Sequence, residues 1–490
     1  MVFSRASILT LVLCTAAAAV VRADDRPNVL WIVAEDQSRH YGCYGEELVD
    51  TPRVDRLAQE GVRFTNAFVT APVCSTCRSA LVTGMYQTSI GAHHHRSGRG
   101  EQKIRLPEHV KLIPQLMQEA GFFTSLGAIG HVTGKGRKGK LGKSDYNFEW
   151  NPSVYDGGDW SQRKQGQPFF AQVMIGGGKS RSAARNNKQI PHVAVSKVEL
   201  PPYYPNHPAI REDWAAYLDT FTLMDRQLGQ ILDRLESENE LDKTVIFFLT
   251  DHGVSHARGK QYCYDEGMMV PLIVRAPGRV AAGKLRTDLA AHIDIAASTL
   301  YFANVEIPDY MQSRPLFGPA AKPREFGVSA RDRCDETYDR IRAVRTKKYK
   351  YIRNGFPTRP HLQPCVYKDQ KEIYKALRGW RADGKLNELQ QRLLFSPRRA
   401  AEELYDLEKD PWETNNLAQS PDHANQLKHL RETLDHWIAE TNDRGQRVEA
   451  LARYESDMQV YLDAIGGRRP ERAKLIQRNI DLMKRWYWSD

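Results

Sequence analysis

Two uninterrupted apolar runs, each ending in acids, constrain this chain more than any other feature. Val-Leu-Trp-Ile-Val-Ala over 29–34 runs into Glu35-Asp36, and Lys-Thr-Val-Ile-Phe-Phe-Leu-Thr over 243–250 runs into Asp251-His252-Gly253. Runs this short, rich in β-branched and aromatic residues and lacking polar alternation, predict strands buried on both faces. Pro-Phe-Phe-Ala-Gln-Val-Met-Ile over 168–175, which ends in three glycines, and Val-Pro-Leu-Ile-Val-Arg over 270–275 read the same way. Helical patterns fall between them at 51–60, 112–120 and 211–238, the last with apolar residues at three- and four-residue spacing. Strands alternating with helices predict a mostly parallel sheet covered on both faces, and the carboxyl ends of such strands are where open α/β sheets bind ligands.

Beyond about residue 325 the texture changes to short alternating stretches at 340–345, 349–352 and 403–407, then a helix over 422–441. These predict a smaller antiparallel domain over 326–442 after an α/β domain over 24–325. Residues 443–490 read as two charged amphipathic helices ending in Trp-Tyr-Trp, a packing tail or an oligomerisation element. At the N-terminus, Arg5, an apolar run over 8–21 and small residues before position 24 predict a removed export signal over 1–23 rather than a membrane anchor. No second run is long enough to cross a bilayer. The export expectation places the chain in the periplasm or outside the cell. Losing Arg5 and Arg22 takes the formal charge from +10 to +8, so the chain stays basic and suited to gathering polyanions, with no nucleic-acid-binding motif. Cys43, Cys74, Cys77, Cys263, Cys334 and Cys365 remain; if Cys74 is modified, the odd remainder argues against a fully paired disulfide framework.

Ala-Pro-Val-Cys-Ser-Thr-Cys-Arg-Ser-Ala-Leu-Val-Thr-Gly over 71–84 places Cys74 at the start of a helix-forming run, with Arg78 one turn on. Free N–H groups, the helix dipole and a forked cation together suit an anionic ester attacked by a nucleophile at position 74. A buried cysteine before an ordinary helix is the structural alternative. The stretch resembles the sulfatase signature, Cys-x-Pro-Ser-Arg followed by Thr-Gly, with Thr76 in place of proline and Cys77 in place of serine.

That resemblance extends from Pro27 to the Glu-Leu-Tyr-Asp-Leu-Glu-Lys-Asp-Pro-Trp-Glu-Thr-Asn-Asn-Leu block over 403–417. It implies an alkaline-phosphatase-like α/β fold with a smaller C-terminal β-rich domain, and hydrolysis of a sulfate ester or sulfamate on a sulfated carbohydrate. It further implies that a maturation enzyme converts Cys74 to formylglycine, whose hydrate attacks sulfur. A bound Ca²⁺, or Mg²⁺, would be held by Glu35, Asp36, Cys74, Asp251 and His252. Glu35 departs from the usual aspartate there, and His252 offers nitrogen in place of oxygen. Arg-Gly-Lys-Gln-Tyr-Cys-Tyr-Asp-Glu over 258–266 resembles the family's Gly-Lys block, which makes Lys260 a sulfate-contacting cation alongside Arg78.

The second such lysine is Lys143, in a Gly-Lys-Ser-Asp-Tyr-Asn segment resembling a bacterial branch related to heparan N-sulfatases, with Lys135 in the Gly/Lys-rich insertion over 129–141 as the other candidate. Where the family often carries a histidine after the Pro-Phe-Phe-Ala strand, this chain has Gly178, and Lys179, His192 or His131 is left to compensate. His95, Lys135, Lys179 and Asp145 are the substrate-contacting candidates, His95 from the run His93-His94-His95. Arg331, Asp332, Arg333, Asp335 and Glu336 form a charged cluster that either lines sugar subsites or is a solvated loop. The residues are also compatible with a phosphoesterase of the same superfamily, a polysaccharide-binding protein without catalysis, or a disulfide oxidoreductase built on Cys74 and Cys77.

Overall fold

The computed structural model describes residues 26–136 and 139–488; the export signal expected over 1–23 lies outside them. Seven strands form the large sheet: β1 Asn28–Ala34, β2 Val62–Phe68, β3 Phe123–Ala128, β4 Phe169–Ile175, β5 Thr244–Thr250, β6 Met269–Arg275 and β7 Lys284–Ala291, in the order β3-β4-β1-β5-β6-β2-β7. The central strand β1 runs parallel to both neighbours, pairing Ala34 with Ile175 of β4 and with Thr250 of β5. The carboxyl ends of three strands therefore lie side by side. Glu35-Asp36, the three glycines and Asp251 are brought to one place by register alone.

The unbroken apolar character of β1 has a direct cause. Leu30, Ile32 and Ala34 join the core beneath the long helix Pro208–Ser237, through Leu218, Phe221 and Leu228. Val29, Trp31 and Val33 join the opposite core with Cys77 and Leu81 of the helix Cys74–Thr83 and Leu300 of the helix Asp294–Phe302. Alternate side chains point to opposite faces, so a strand covered on both must be apolar throughout.

Of the large-sheet strands, β6 alone runs against the rest, antiparallel to both β5 and β2. A parallel return needs a crossover, usually a helix, and the chain between β5 and β6 holds only the one-turn helix Asp265–Met268. β2 and β7 are not expected from sequence: β2 carries a register irregularity after Phe64, and β7 is an edge strand whose first residues, polar except for Leu285, are largely exposed.

A second sheet of β8 Gly327–Arg331, β9 Ile341–Arg345, β10 Tyr349–Asn354 and β11 Glu402–Asp406 is wholly antiparallel, in the order β11-β10-β9-β8. The helix Ala424–Glu440 covers it by setting Leu430, Leu434 and Trp437 on Val328, Val344, Tyr351 and Leu404. Two final helices, Leu451–Gly466 and Pro470–Tyr487, pack on each other and, through Tyr454, Met458, Ile476 and Met483, on Tyr338 and Val366. Among the described residues no helix is long and apolar enough to cross a membrane.

Candidate active site

The site grows from the end of β1. Asp36 adopts a left-handed backbone (φ 55°), and its N–H donates to Asp251 Oδ1 at 3.1 Å, tying the two acid-bearing strand ends together. The glycines after β4 lie flat against this turn, with the Gly178 N–H donating to the Glu35 carbonyl at 2.7 Å. A Cβ at Gly177 would stand 2.3 Å from Glu35 O, and one at Gly178 2.1 Å from Asp36 O, so no side chain fits at either position. Lys179, the next residue, reaches the acids instead, with Nζ 3.1 Å from Glu35 Oε2 and 3.5 Å from Asp36 Oδ1.

Cys74 is the first residue of its helix, after an extended Val73, and Gly84 closes that helix in the left-handed region (φ 66°). The Cys74 Sγ lies 3.6 Å from Lys260 Nζ and 3.6 Å from His95 Nε2. One turn on, Arg78 Nη2 bridges Glu35 Oε1 and Asp251 Oδ2, each at 3.0 Å. Lys260 Nζ is 3.2 Å from Asp36 Oδ1. Lys143 pairs with Glu35 and stands 3.4 Å from Asp145. Four carboxylates (Glu35, Asp36, Asp145, Asp251) thus face four fixed cations. The side chains of Arg78 and Lys260 are each 4% exposed, whereas those of Lys143 and Lys179 are 37% and 31% exposed, so the site opens on the side of the last two.

Burial alone would push the Cys74 thiol up, but Lys260 and Lys179, with hydrogen bonds from His252 and His95, hold it well below the ordinary thiol range. Asp36 behaves likewise: burial opposes its charge, and Lys179, Lys260 and His252 outweigh that burial. His95 is desolvated too, yet Cys334 and Asp335 raise it well above an ordinary imidazole. Its Nδ1 is 3.2 Å from Asp335 Oδ1 and 3.4 Å from Cys334 Sγ, which aims Nε2 at Cys74.

Of the residues assigned above to catalysis, metal binding and substrate contact, Lys135 alone stays outside this cluster. Lys135 is exposed in the turn after Gly134 and touches none of the acids, whereas Lys143 reaches the site because the insertion closes back onto β3. There the Gly142 N–H donates to Leu126 O at 2.7 Å, and a Cβ on Gly142 would be 2.3 Å from Gly127 O. Two histidines offered as substitutes are committed elsewhere, His131 to Lys140 O and Ala128 N, and His192 to Asp219. The 331–336 cluster is not a solvated loop: all five residues are buried, and among them Asp335 reaches the site while Arg333 binds Glu449 and Asp457, and Asp332 binds Arg342. Cys74 and Cys77 are unpaired; the Cys77 sulfur faces His292, 3.6 Å from its Nδ1. Tyr367, from the short helix Val366–Asp369, adds a hydroxyl 3.5 Å from Asp36 Oδ2 with no motif to announce it.

Whether these residues suit a divalent cation turns on His252. Its Nδ1 lies 2.8 Å from the Gly253 carbonyl, so the ring proton sits there and points away from the acids. Nε2 is buried 3.1 Å from Asp36 Oδ1 and 3.5 Å from Asp251 Oδ1, and against the pull of burial those acids raise the imidazole to about 9. Donor atoms of Cys74, Asp251 and His252 lie within 4.8 Å of one another. The carboxylates of Glu35, Asp36 and Asp251, with the buried Nε2 of His252 once its proton is lost, form a donor set that fits a hard divalent cation, with the nitrogen as its one softer member.

The sequence model of the family described as Sulfatase matches residues 27–305. An ulvan-active sulfatase of Formosa agariphila is 30% identical over 477 residues, covering 88% of this chain and 78% of the relative. Human N-sulphoglucosamine sulphohydrolase is 26% identical over 511 residues, covering 89% and 93%. A solved structure holding its substrate D-glucosamine-2-N,6-O-disulfate superposes with a TM-score of 0.60 at 17% identity, over 86% of this chain and 100% of that one.

Proposed function

From the premise that this chain belongs to the sulfatase family, we propose that it is an exported sulfuric ester hydrolase that removes sulfate from a sulfated carbohydrate, as an ester or a sulfamate, at position 74. The observation that carries the proposal is the meeting of Cys74, at a helix N-terminus, with Lys260, His95 and the acid cluster. Formylglycine made from Cys74 by a maturation enzyme would supply the nucleophile, and Ca²⁺ or Mg²⁺ held by Glu35, Asp36, Asp251 and His252 would supply Lewis acidity.

The chain's own residues supply the rest. Four carboxylates already match four cations, so binding a dication leaves the site electropositive, as an anionic substrate requires. Lys143 and Lys179, on the open side, meet the incoming sulfate, and the buried Lys260 and Arg78 stabilise charge that develops on its oxygens. Lys179 takes the place left by the absent histidine. His95, held at Nδ1 by Asp335, carries a proton at Nε2 beside position 74. The basic chain suits a polyanionic substrate, and the leader over 1–23 suits export.

The test is sulfate release from sulfated oligosaccharides by the full chain, produced alongside a formylglycine-generating enzyme. Release that Cys74→Ala abolishes is expected. Phosphate release from phosphate monoesters, with no sulfate released from any sulfated sugar, would move the assignment to a phosphoesterase.

A further inference from the structure

A cleft of about 570 Å³ lies between the loop carrying His93 and the start of the C-terminal tail. Lys103 and Arg105 line it from one side and Arg444, Arg447 and Arg453 from the other. Lys103 is spent on the Arg99 carbonyl and Arg105 on Glu149. Among the described residues, Arg444, Arg447 and Arg453 have no ion-pair partner and no side-chain hydrogen bond. The lining holds one carboxylate, Glu449, and it is taken by Arg333 at 2.7 and 3.0 Å.

Unpaired arginines converging on one concavity repel each other unless something anionic sits between them. Two further observations point to a ligand. His93 is 8% exposed and lines the cleft, and its Nδ1 is buried without a hydrogen-bond partner. Gly91 is left-handed (φ 74°), and a Cβ there would stand 3.2 Å from Arg444 Nη1, so the bare backbone lets that guanidinium lie against the loop. Burial and the adjacent His94 hold the His93 imidazole well below its ordinary pKa, so it is neutral and able to donate or accept.

We propose that this cleft is a second anion site, which holds sulfate groups of a sulfated polysaccharide chain away from the bond that is cut. The inference rests on the sulfated-carbohydrate reading above. The cleft is separate from position 74: His95 faces Cys74, His93 faces the cleft, and Arg333 stands between, bound to Glu449 on the cleft side and to the His95 carbonyl at 3.3 Å. Arginine forks match the sulfate oxyanion in geometry and stay charged at any working pH. A chain bound there is retained between cleavage events, because the cleft and the reacting centre are joined by effective concentration.

Binding of size-fractionated heparin to the full chain, measured over a salt series, tests the cleft. Replacing Arg444, Arg447 and Arg453 together by Gln should weaken binding about tenfold at physiological salt and reduce the slope of log Kd against log salt by about one per arginine. Turnover of a small chromogenic sulfate ester should be the same in both proteins, since none of the three arginines touches the site. The exposed single substitution Arg447→Glu should weaken heparin binding in the same direction. Equal heparin affinity for wild type and both variants overturns the proposal, and so does equally tight binding of chemically desulfated heparin. Weakened heparin binding with no ester turnover in either protein would leave the cleft standing and remove the catalytic assignment.

Discussion

At position 178 the backbone leaves no room for a side chain, and Lys179 extends over the acids in its stead. Where the family resemblance leads one to expect a histidine, this chain places a cation, at the open edge of the site. Lys179→Ala should therefore lower kcat/KM on a sulfated sugar by about a hundredfold, the effect of removing one charged stabilising donor. Steady-state kinetics check it, and an unchanged rate would show that Lys179 serves only to pair the acids. Cys74, Arg78, Lys260 and the acids after two strands were legible in the sequence because each lies in a local pattern of fixed spacing. Lys143 was preferred to Lys135 from its Gly-Lys-Ser-Asp-Tyr-Asn segment, but the fold of the insertion back onto β3 that brings it to the acids was not legible. Nor was Tyr367, or the hold of Asp335 on His95: these pairs come from opposite ends of the chain, and no spacing rule links them.

Strand ends position these side chains, so errors in the turns that join strand to site should be felt at the site. Gly178→Ala drives a Cβ into Asp36 O and must move the turn that carries both acids. A loss of about 1–3 kcal/mol is expected in denaturant unfolding, together with loss of sulfate release. Retained activity would mean that the turn yields without cost. The helix Pro52–Glu60 supplies a second case. Its first N–H groups, from Arg53 and Val54, donate at 3.0 and 2.9 Å to Asp225 of the long helix. Burial outweighs those bonds and raises the Asp225 carboxyl to about 7. A carboxyl raised in the folded state contributes stability at acid pH, and that contribution declines as pH climbs from about 4 through 7. Asp225→Asn keeps the acceptor and removes the titration, so its Tm should gain on wild type between pH 5 and pH 8. Parallel Tm profiles would contradict this. Among elements, the doubly covered strands were readable from their unbroken apolar runs, while β2, β7 and β8 were not, since an irregular strand, an exposed edge strand and a strand of Gly-Val-Ser-Ala-Arg with one large apolar residue leave little periodic signal.

Across the whole molecule, the large sheet supplies the acids, the helix Cys74–Thr83 the sulfur, and the segment around β8 and β9 the support for His95. The C-terminal tail is fastened into this assembly by three buried carboxylates, Asp443 on Arg342 and Glu449 and Asp457 on Arg333. Asp457 accepts N–H groups from Gly98, Arg99 and Gly100, and takes Arg333 at 2.8 Å. Asp457→Ala leaves those donors and one Arg333 N–H group without a partner while Glu449 still balances the guanidinium, which should cost about 1–3 kcal/mol and lower Tm. An unchanged Tm would show the tail to be an accessory. The tail's helices were legible as amphipathic patterns, but its role in bracing the loop before the site was not, because charge runs along a helix do not name their partners.

On the proposal above, position 74 carries the nucleophile of a sulfatase. Mass spectrometry of the peptide containing Cys74, from full chain made alongside a formylglycine-generating enzyme, addresses it most directly. The mass of an aldehyde in place of the thiol is expected, despite Thr76 and Cys77 in the signature. An unmodified thiol, or a disulfide between Cys74 and Cys77, would contradict it.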